Sequence, residues 1–340
     1  MTSAPQALLH PNWLAHRYDP DHDAVHFVNA DRAVRRKAPF LTDEFLPTAN
    51  EPVVVRRVDA LAANKGSHRI GFIFHSAYCC STLLANAYDR PGAAVGIKEP
   101  TILNDLVGWR LRGGAPDKIG AILRDALDLL ARPFEAGETA IIKPSNVVNG
   151  LARAMISARP EAGVLLIYAP LKTYVTSIAN KGLRGRLWVR ELLTKQLKEG
   201  LINFGFSSEE LFNQSDLQVA ALGWLAQHRL FTKIADSWPA RVRTVSSEAL
   251  LANPRDALAA LDKLFGVASD SAARDEVIDT VFRRHAKSGE SFTSENRTSD
   301  QRNALEVHGE EISLVYDWAK LVADQAAIKF DLPNPLIAGA

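Results

Sequence analysis

Cysteine is nearly absent from this chain of 340 residues: there are 2, and they are neighbours, Cys79 and Cys80. Such a pair cannot build a disulfide framework or a zinc site of the CxxC type, and reduced cytosol is the setting it suggests. No sign of charge is in excess either. Lys and Arg number 40 against 39 Asp and Glu, a formal charge of +1. General binders of nucleic acid or membrane surfaces carry a clear basic excess, so neither partner is expected. No apolar run approaches the ~18 residues of a membrane span. The opening MTSAPQALLHPNWLAHRYDP lacks the basic and apolar regions of a signal peptide. These absences describe a cytoplasmic protein, and 47% hydrophobic with 23% charged residues is ordinary globular composition.

What is present is an alternation. Short apolar runs occur at 69–75 (RIGFIFH), 93–100 (AAVGIKEP), 138–145 (ETAIIKPS), 163–170 (GVLLIYAP) and 240–248 (ARVRTVSSE). Helical patterns at 81–89, 100–112, 117–132, 150–158 and 171–181 separate the first four runs and follow the fourth. Strands that alternate with helices form a buried parallel sheet covered on both faces. The fold class predicted is α/β: a three-layer α/β/α sandwich around a central parallel sheet. A helical insertion at 186–237 reads as a lid, and helices are expected at 254–266, 275–284 and 305–327, with an aperiodic polar stretch at 285–304. Residues 1–50, with weak periodicity, read as an arm packed on the core, 51–330 as the α/β domain and 331–340 as a tail. His10, His16, His22 and His26 lie in the arm and read as scattered surface histidines rather than metal ligands.

In open parallel sheets ligands bind beyond the carboxyl ends of the strands. The first run ends in His75-Ser76-Ala77-Tyr78-Cys79-Cys80-Ser81-Thr82 and passes straight into a helix. Free amides, the helix dipole and two hydroxyls make this a candidate anion loop. Ser81 acting only as an N-cap is an equal alternative. It is not a Walker A loop, because no Gly-Lys precedes the hydroxyl. It is not a CX5R loop either, because after five intervening residues Cys79 and Cys80 are followed by Ala85 and Asn86, not Arg. A thiol at a helix N-terminus can have a lowered pKa, but Cys79 and Cys80 read better as small residues that let the loop turn. Lys143 at the end of the third run is hard to explain as core. Glu99 is placed to act as a base on an acceptor hydroxyl, or else to pair with Lys98 at the start of the helix that Pro100 begins.

FIFHSAYCCSTLL, IKEPTIL, AIIKPSNVVN, RPEAGVLLIYAPLKTYVTSI and the later GWLAQHRLF…RVRTVSSEALLANPRDALAALDKLFG keep one order and spacing across roughly 70–330. Together they resemble the P-loop-fold sulfotransferases, which take the sulfuryl group from 3′-phosphoadenosine 5′-phosphosulfate (PAPS). The resemblance implies a P-loop NTPase-like sheet, PAPS as co-substrate without a metal, and a small-molecule acceptor. It places Ser76, Ala77, Tyr78, Cys79, Cys80, Ser81 and Thr82 around the donor's phosphosulfate, and Thr176 and Ser177 at its 3′-phosphate. Lys287, Ser288 and Gly289 fall where the family closes a loop over the nucleotide. Glu99 and Lys143 would be catalytic, with His75 beside them. This chain departs from the family's pattern at three positions. Tyr78 and Tyr168 stand where the family has cations, and Cys80 stands where it has Gly, a change of little weight only if the local φ is negative. Two alternatives remain: a nucleotide- or anion-binding protein of the same fold without sulfuryl transfer, and a transferase acting on a phosphorylated substrate.

Overall fold

The computed structural model describes residues 8, 10–46, 51–64, 66, 68–282 and 294–337. The chain begins with β1 (Trp13–Asp19) and β2 (Ala24–Asn29), then α1 (Arg32–Lys37), β3 (Val53–Arg56) and α2 (Arg57–Ala63). These strands form an antiparallel sheet in the order β1-β2-β3. The stretch that reads as an arm thus holds two paired strands and a helix. Its periodicity is hidden by a register shift between Ala15 and Arg17, which leaves Leu14, Ala15 and His16 all buried in succession. A bulge of this kind breaks the alternation that marks a strand in sequence.

The main sheet begins with β4 (Ile70–His75), followed by α3 (Ser81–Ala87), β5 (Ala94–Lys98), α4 (Thr101–Leu111) and α5 (Pro116–Leu130). Next come β6 (Thr139–Lys143), a 3-10 turn (Asn146–Leu151), α6 (Ala152–Ala158), β7 (Gly163–Tyr168) and α7 (Leu171–Asn180). The insertion holds α8 (Gly182–Lys198), α9 (Ser208–Phe212) and α10 (Asp216–Ser237). The chain then runs through β8 (Val242–Ser246), α11 (Ser247–Ala252), α12 (Pro254–Phe265) and α13 (Ser271–Val277), which continues as a π turn (Ile278–Phe282). The helix α14 (Ser294–Gln325) follows. It begins within the stretch that reads as polar and aperiodic, because SENRTSDQRN carries no apolar stripe to reveal a helix.

The five strands pair in parallel in the order β5-β6-β4-β7-β8. This is the three-layer α/β fold that the apolar runs predict. Gly96, Ile141, Gly71 and Gly163 lie in register across four strands and share one face. A Cβ on Gly96 would sit 2.1 Å from the Ala85 carbonyl oxygen of α3, and one on Gly163 2.1 Å from the Leu264 carbonyl oxygen of α12. Both helices thus lie directly on the sheet where side chains are missing. The alternate positions Phe72, Ile142 and Val164 are also fully buried, so the other face is covered too. The N-terminal sheet is fastened outside this sandwich, with Arg17 bidentate on Asp105 of α4 and Arg57 paired with Asp125 of α5. Residues that read as a tail are partly built into the sheet edge, where the Thr244 N–H donates to the Asn334 carbonyl at 2.9 Å and Leu336 N–H to the Thr244 carbonyl at 2.8 Å.

Near the end of β7, Trp224 of α10 donates its indole N–H to the Ala169 carbonyl at 2.8 Å and stacks on His228. His228 is fully buried, its Nε2 hydrogen-bonded to the Phe330 carbonyl at 3.0 Å, and burial pushes its pKa down to about 3. In the unfolded chain this imidazole titrates near ~6.5, so between these values the unfolded state holds the extra proton. Its contribution to stability is complete above pH ~6.5 and is lost as pH falls toward ~3. Urea unfolding across pH 7.5 to 4.5 should show wild type losing up to about 1.4 kcal/mol per pH unit more than His228→Gln. Parallel curves for the two proteins would assign the acid lability to other groups.

Candidate active site at the carboxyl edge of the sheet

Strand β4 is central, and the chain leaves it through a tight loop. His75 ends the strand with Nδ1 accepting the Ala77 N–H at 3.1 Å and Nε2 lying 3.0 Å from the Pro144 carbonyl. These partners require the neutral tautomer with its proton on Nε2. Ser76 Oγ accepts the Ala169 N–H at 3.2 Å and so ties the loop to the end of β7. Ala77, Tyr78 and Cys80 have φ of 72°, 52° and 63°. Left-handed backbone costs a residue with a Cβ roughly 1–2 kcal/mol, so three such residues in one short loop must be held by their surroundings. The Tyr78 ring meets Trp188 of α8 edge-on at 5.6 Å and Tyr174 of α7 at 6.0 Å. Cys80 is thus held in the conformation that favours Gly, so the negative φ that would make a Cys easy at this position is not the one it adopts.

Beside this loop, the adjacent strands β5 and β6 end together, with Lys98 and Lys143 in register. Glu99 follows in left-handed conformation with φ 50° and donates its N–H to the Lys143 carbonyl at 2.7 Å. Its carboxylate is paired with the Lys143 ammonium, and its Oε1 lies 3.8 Å from His75 Nε2. The Lys143 side chain is wholly buried, while 18% of Glu99 faces solvent. The Phe40 ring lies 5.3 Å from Lys143 Nζ. The segment around Phe40 is pinned here because the Leu41 N–H donates to the Lys98 carbonyl at 2.7 Å. Lys98 pairs with neither Glu99 nor the loop. Its Nζ donates to the Arg36 carbonyl at 3.0 Å. Burial, reinforced by the Lys143 and Arg36 cations and opposed by Asp89, lowers its pKa to about 8.

The candidate hydroxyls fall into two groups. Ser81 and Thr82 open α3 and are largely buried beside the loop. Thr176 and Ser177 instead return their hydroxyls to their own helix, donating to the Lys172 and Thr173 carbonyls at 2.8 Å each. Thr176 is also buried. Tyr168 sits edge-on against His228 at 4.8 Å, inside the fold. The exposed Arg184 of α8 lies close enough to act electrostatically on Tyr78. Lys287, Ser288 and Gly289 lie outside the described residues. The structure therefore brings His75, the 76–82 loop, Glu99 and Lys143 together, and it places Thr176 and Ser177 in the neighbouring helix with their hydroxyls engaged.

Two contributors, Asn149 and Phe40, do not stand out in the sequence as site residues. Asn149, in the 3-10 turn after β6, donates to the His75 carbonyl at 3.0 Å and to Gln227 Oε1 at 2.9 Å, locking the ends of β4 and β6 to α10. The Asn in KPSNVVN after a strand end was its signal. Phe40 had none, because its contact with Lys143 comes from a segment far away in the chain; Trp188, which the sequence offers only as one aromatic of the 186–237 insertion, meets Tyr78. Among the described residues no group of three or more His, Cys, Asp or Glu is placed to hold a metal ion, and no helix is long and apolar enough to cross a membrane.

No family model matches this chain, and no curated protein matches it either. Among solved structures it is similar to the sulfotransferase domain from the curacin biosynthetic pathway, with a TM-score of 0.45 and 13% identity over 79% of this chain and 100% of that one.

The cysteines can be separated experimentally. Burial pushes the Cys79 thiol up, the reverse of a reactive thiolate. Iodoacetamide should therefore leave Cys79 unmodified in native protein and label it only on unfolding. Cys80→Gly should match or exceed wild-type stability, whereas Cys80→Val should lose about 1–2 kcal/mol in urea unfolding, because a β-branched residue fits the left-handed conformation worst. Rapid labelling of native Cys79 would reopen a nucleophilic role.

Proposed function

We propose that this protein is a sulfuryl transferase that takes the group from PAPS and delivers it to a hydroxyl or amine of a small molecule. The observation that carries the reading is the Lys143–Glu99 pair: a wholly buried ammonium and a part-exposed carboxylate at adjacent strand ends, next to the loop that leaves the central strand. Glu99 takes the proton from the acceptor as its oxygen or nitrogen attacks sulfur. The bond between sulfur and the 5′-phosphate oxygen breaks, and adenosine 3′,5′-bisphosphate leaves. Protonation removes the charge that Lys143 is paired with. An uncompensated buried cation is costly by about 3–5 kcal/mol, so the ammonium favours the negative charge that develops at the same moment on the leaving oxygen. Base and electrophile are thus coupled, and the rest of the rate comes from positioning and preorganised electrostatics.

A second reading is favoured by Tyr78 and Tyr168 and by the engaged hydroxyls of Thr176 and Ser177: a nucleotide- or anion-binding protein that transfers nothing. A thermal-shift panel separates the two. A donor site binds adenosine 3′,5′-bisphosphate in preference to AMP, ATP or GTP, and at ~100 times its Kd the ligand adds roughly 2.7 kcal/mol of stability. Equal stabilisation by AMP, or none by either, counts against PAPS. With an acceptor in hand, Lys143→Ala should lower kcat by about 10²–10³. Glu99→Gln should lose rate together with the acidic limb of the pH profile while keeping donor affinity. Turnover of both variants within threefold of wild type would place the chemistry elsewhere.

A further inference from the structure

The outer faces of α8 and α14 carry large apolar side chains that none of the described residues covers. Leu183 and Leu187 of α8 are 71% and 59% exposed, and Val307, Leu314 and Leu321 of α14 are 75%, 66% and 64% exposed. The first two are one helical turn apart. The other three recur every seven residues, which puts them in one stripe along the helix. The two helices approach each other on this side of the molecule, where Arg186 of α8 forms a bidentate ion pair with Glu311 of α14 at 3.2 and 2.9 Å. Soluble monomers rarely expose contiguous apolar surface of this kind, and where it occurs it marks an interaction site.

Charge identifies the occupant. The helix α8 carries Arg184, Arg186, Arg190, Lys195 and Lys198 against Glu191, a net +4. Residues 301–325 of α14 carry Arg302 and Lys320 against Glu306, Glu310, Glu311, Asp317 and Asp324, a net −3. An anionic membrane would suit the first helix and be repelled by the second, and a basic partner would suit only the second. A surface that holds both halves of a complementary pair side by side matches its own copy rotated by a two-fold axis. We infer that this face is a homodimer interface, with α8 of one copy lying on α14 of the other, so that the leucine stripes form its core and the opposite charges its rim. Two helix pairs each ~25 Å long suit an interface on the scale of the typical ~1,600 Å². Trp188, whose ring braces Tyr78, lies on the same α8, so association would also steady one wall of the loop. The inference stands independently of the chemistry proposed above.

Sedimentation equilibrium of the full chain at micromolar concentration should show a dimer. Leu314→Glu should raise the dissociation constant at least tenfold, because it buries a charge in the interface core, while its circular-dichroism melt stays near wild type. If Leu314→Glu does not fold, the rim variant Glu310→Lys/Asp324→Lys replaces it, and the same weakening is expected. Mixing Leu187→Cys protein with Leu314→Cys protein should give a disulfide-linked heterodimer under mild oxidation, and Leu314→Cys alone should give no linked dimer. A monomeric wild type, a dimer indifferent to these substitutions, or efficient linkage through Leu314→Cys alone would each overturn the arrangement.

Discussion

A positive charge held in the interior of this protein depends on one carboxylate. Lys143 ends β6 with its side chain wholly buried, and Glu99 is the anion paired with it. The cost of removing an ammonium from water is met only by close pairing and low local dielectric, and much of the surrounding structure keeps that pairing in place. The parallel register of β5 and β6 brings the two residues level. The left-handed backbone at Glu99 turns its side chain back toward the neighbouring strand end. The N-terminal segment covers the ammonium with the Phe40 ring. His75 and Asn149 fasten the end of β4 alongside. Remove any of these and the ion pair either opens to water or loses its geometry.

Backbone strain is concentrated at the same edge. Ala77, Tyr78, Cys80 and Glu99 all have positive φ, and all lie at the carboxyl ends of β4 and β5. Strain held in such a place has to be supplied by packing elsewhere. Here the aromatic contacts of Tyr78 with Trp188 and Tyr174 and the polar ties of His75 and Ser76 supply it. Helix α8 thereby takes part in shaping the loop.

The central sheet was legible because each of its strands is buried on both faces, and an unbroken apolar run bounded by turn residues is hard to read otherwise. The helices with clear apolar stripes, such as Pro116–Leu130 and Pro254–Phe265, were equally plain. The N-terminal sheet was not, because a bulge at Ala15/Arg17 and the burial of His16 erase its period. The start of α14 was not either, since a run of polar residues fits a helix and a loop alike. At the site, Glu99 and Lys143 were visible as charges at strand ends, but their pairing required knowing that β5 and β6 are neighbours. The engagement of Thr176 and Ser177 with their own helix was invisible, because a hydroxyl in sequence does not say which way it turns. Phe40 and Trp188 reach the site only through the tertiary fold.

The strand order also governs how the chain can assemble as it is made. β4 occupies the centre of the sheet, yet its first partner is β6, with Ile70 opposite Ala140. At a synthesis rate of ~5–20 residues per second, the central strand waits roughly 4–14 s before that partner exists. Throughout that interval both of its hydrogen-bonding edges lack their strand partners. The antiparallel N-terminal sheet, complete by Arg56, is the one β structure that can form earlier. The future centre of the sheet is thus an orphan strand early in synthesis, and an unpaired apolar strand is a template for wrong pairing until β6 arrives.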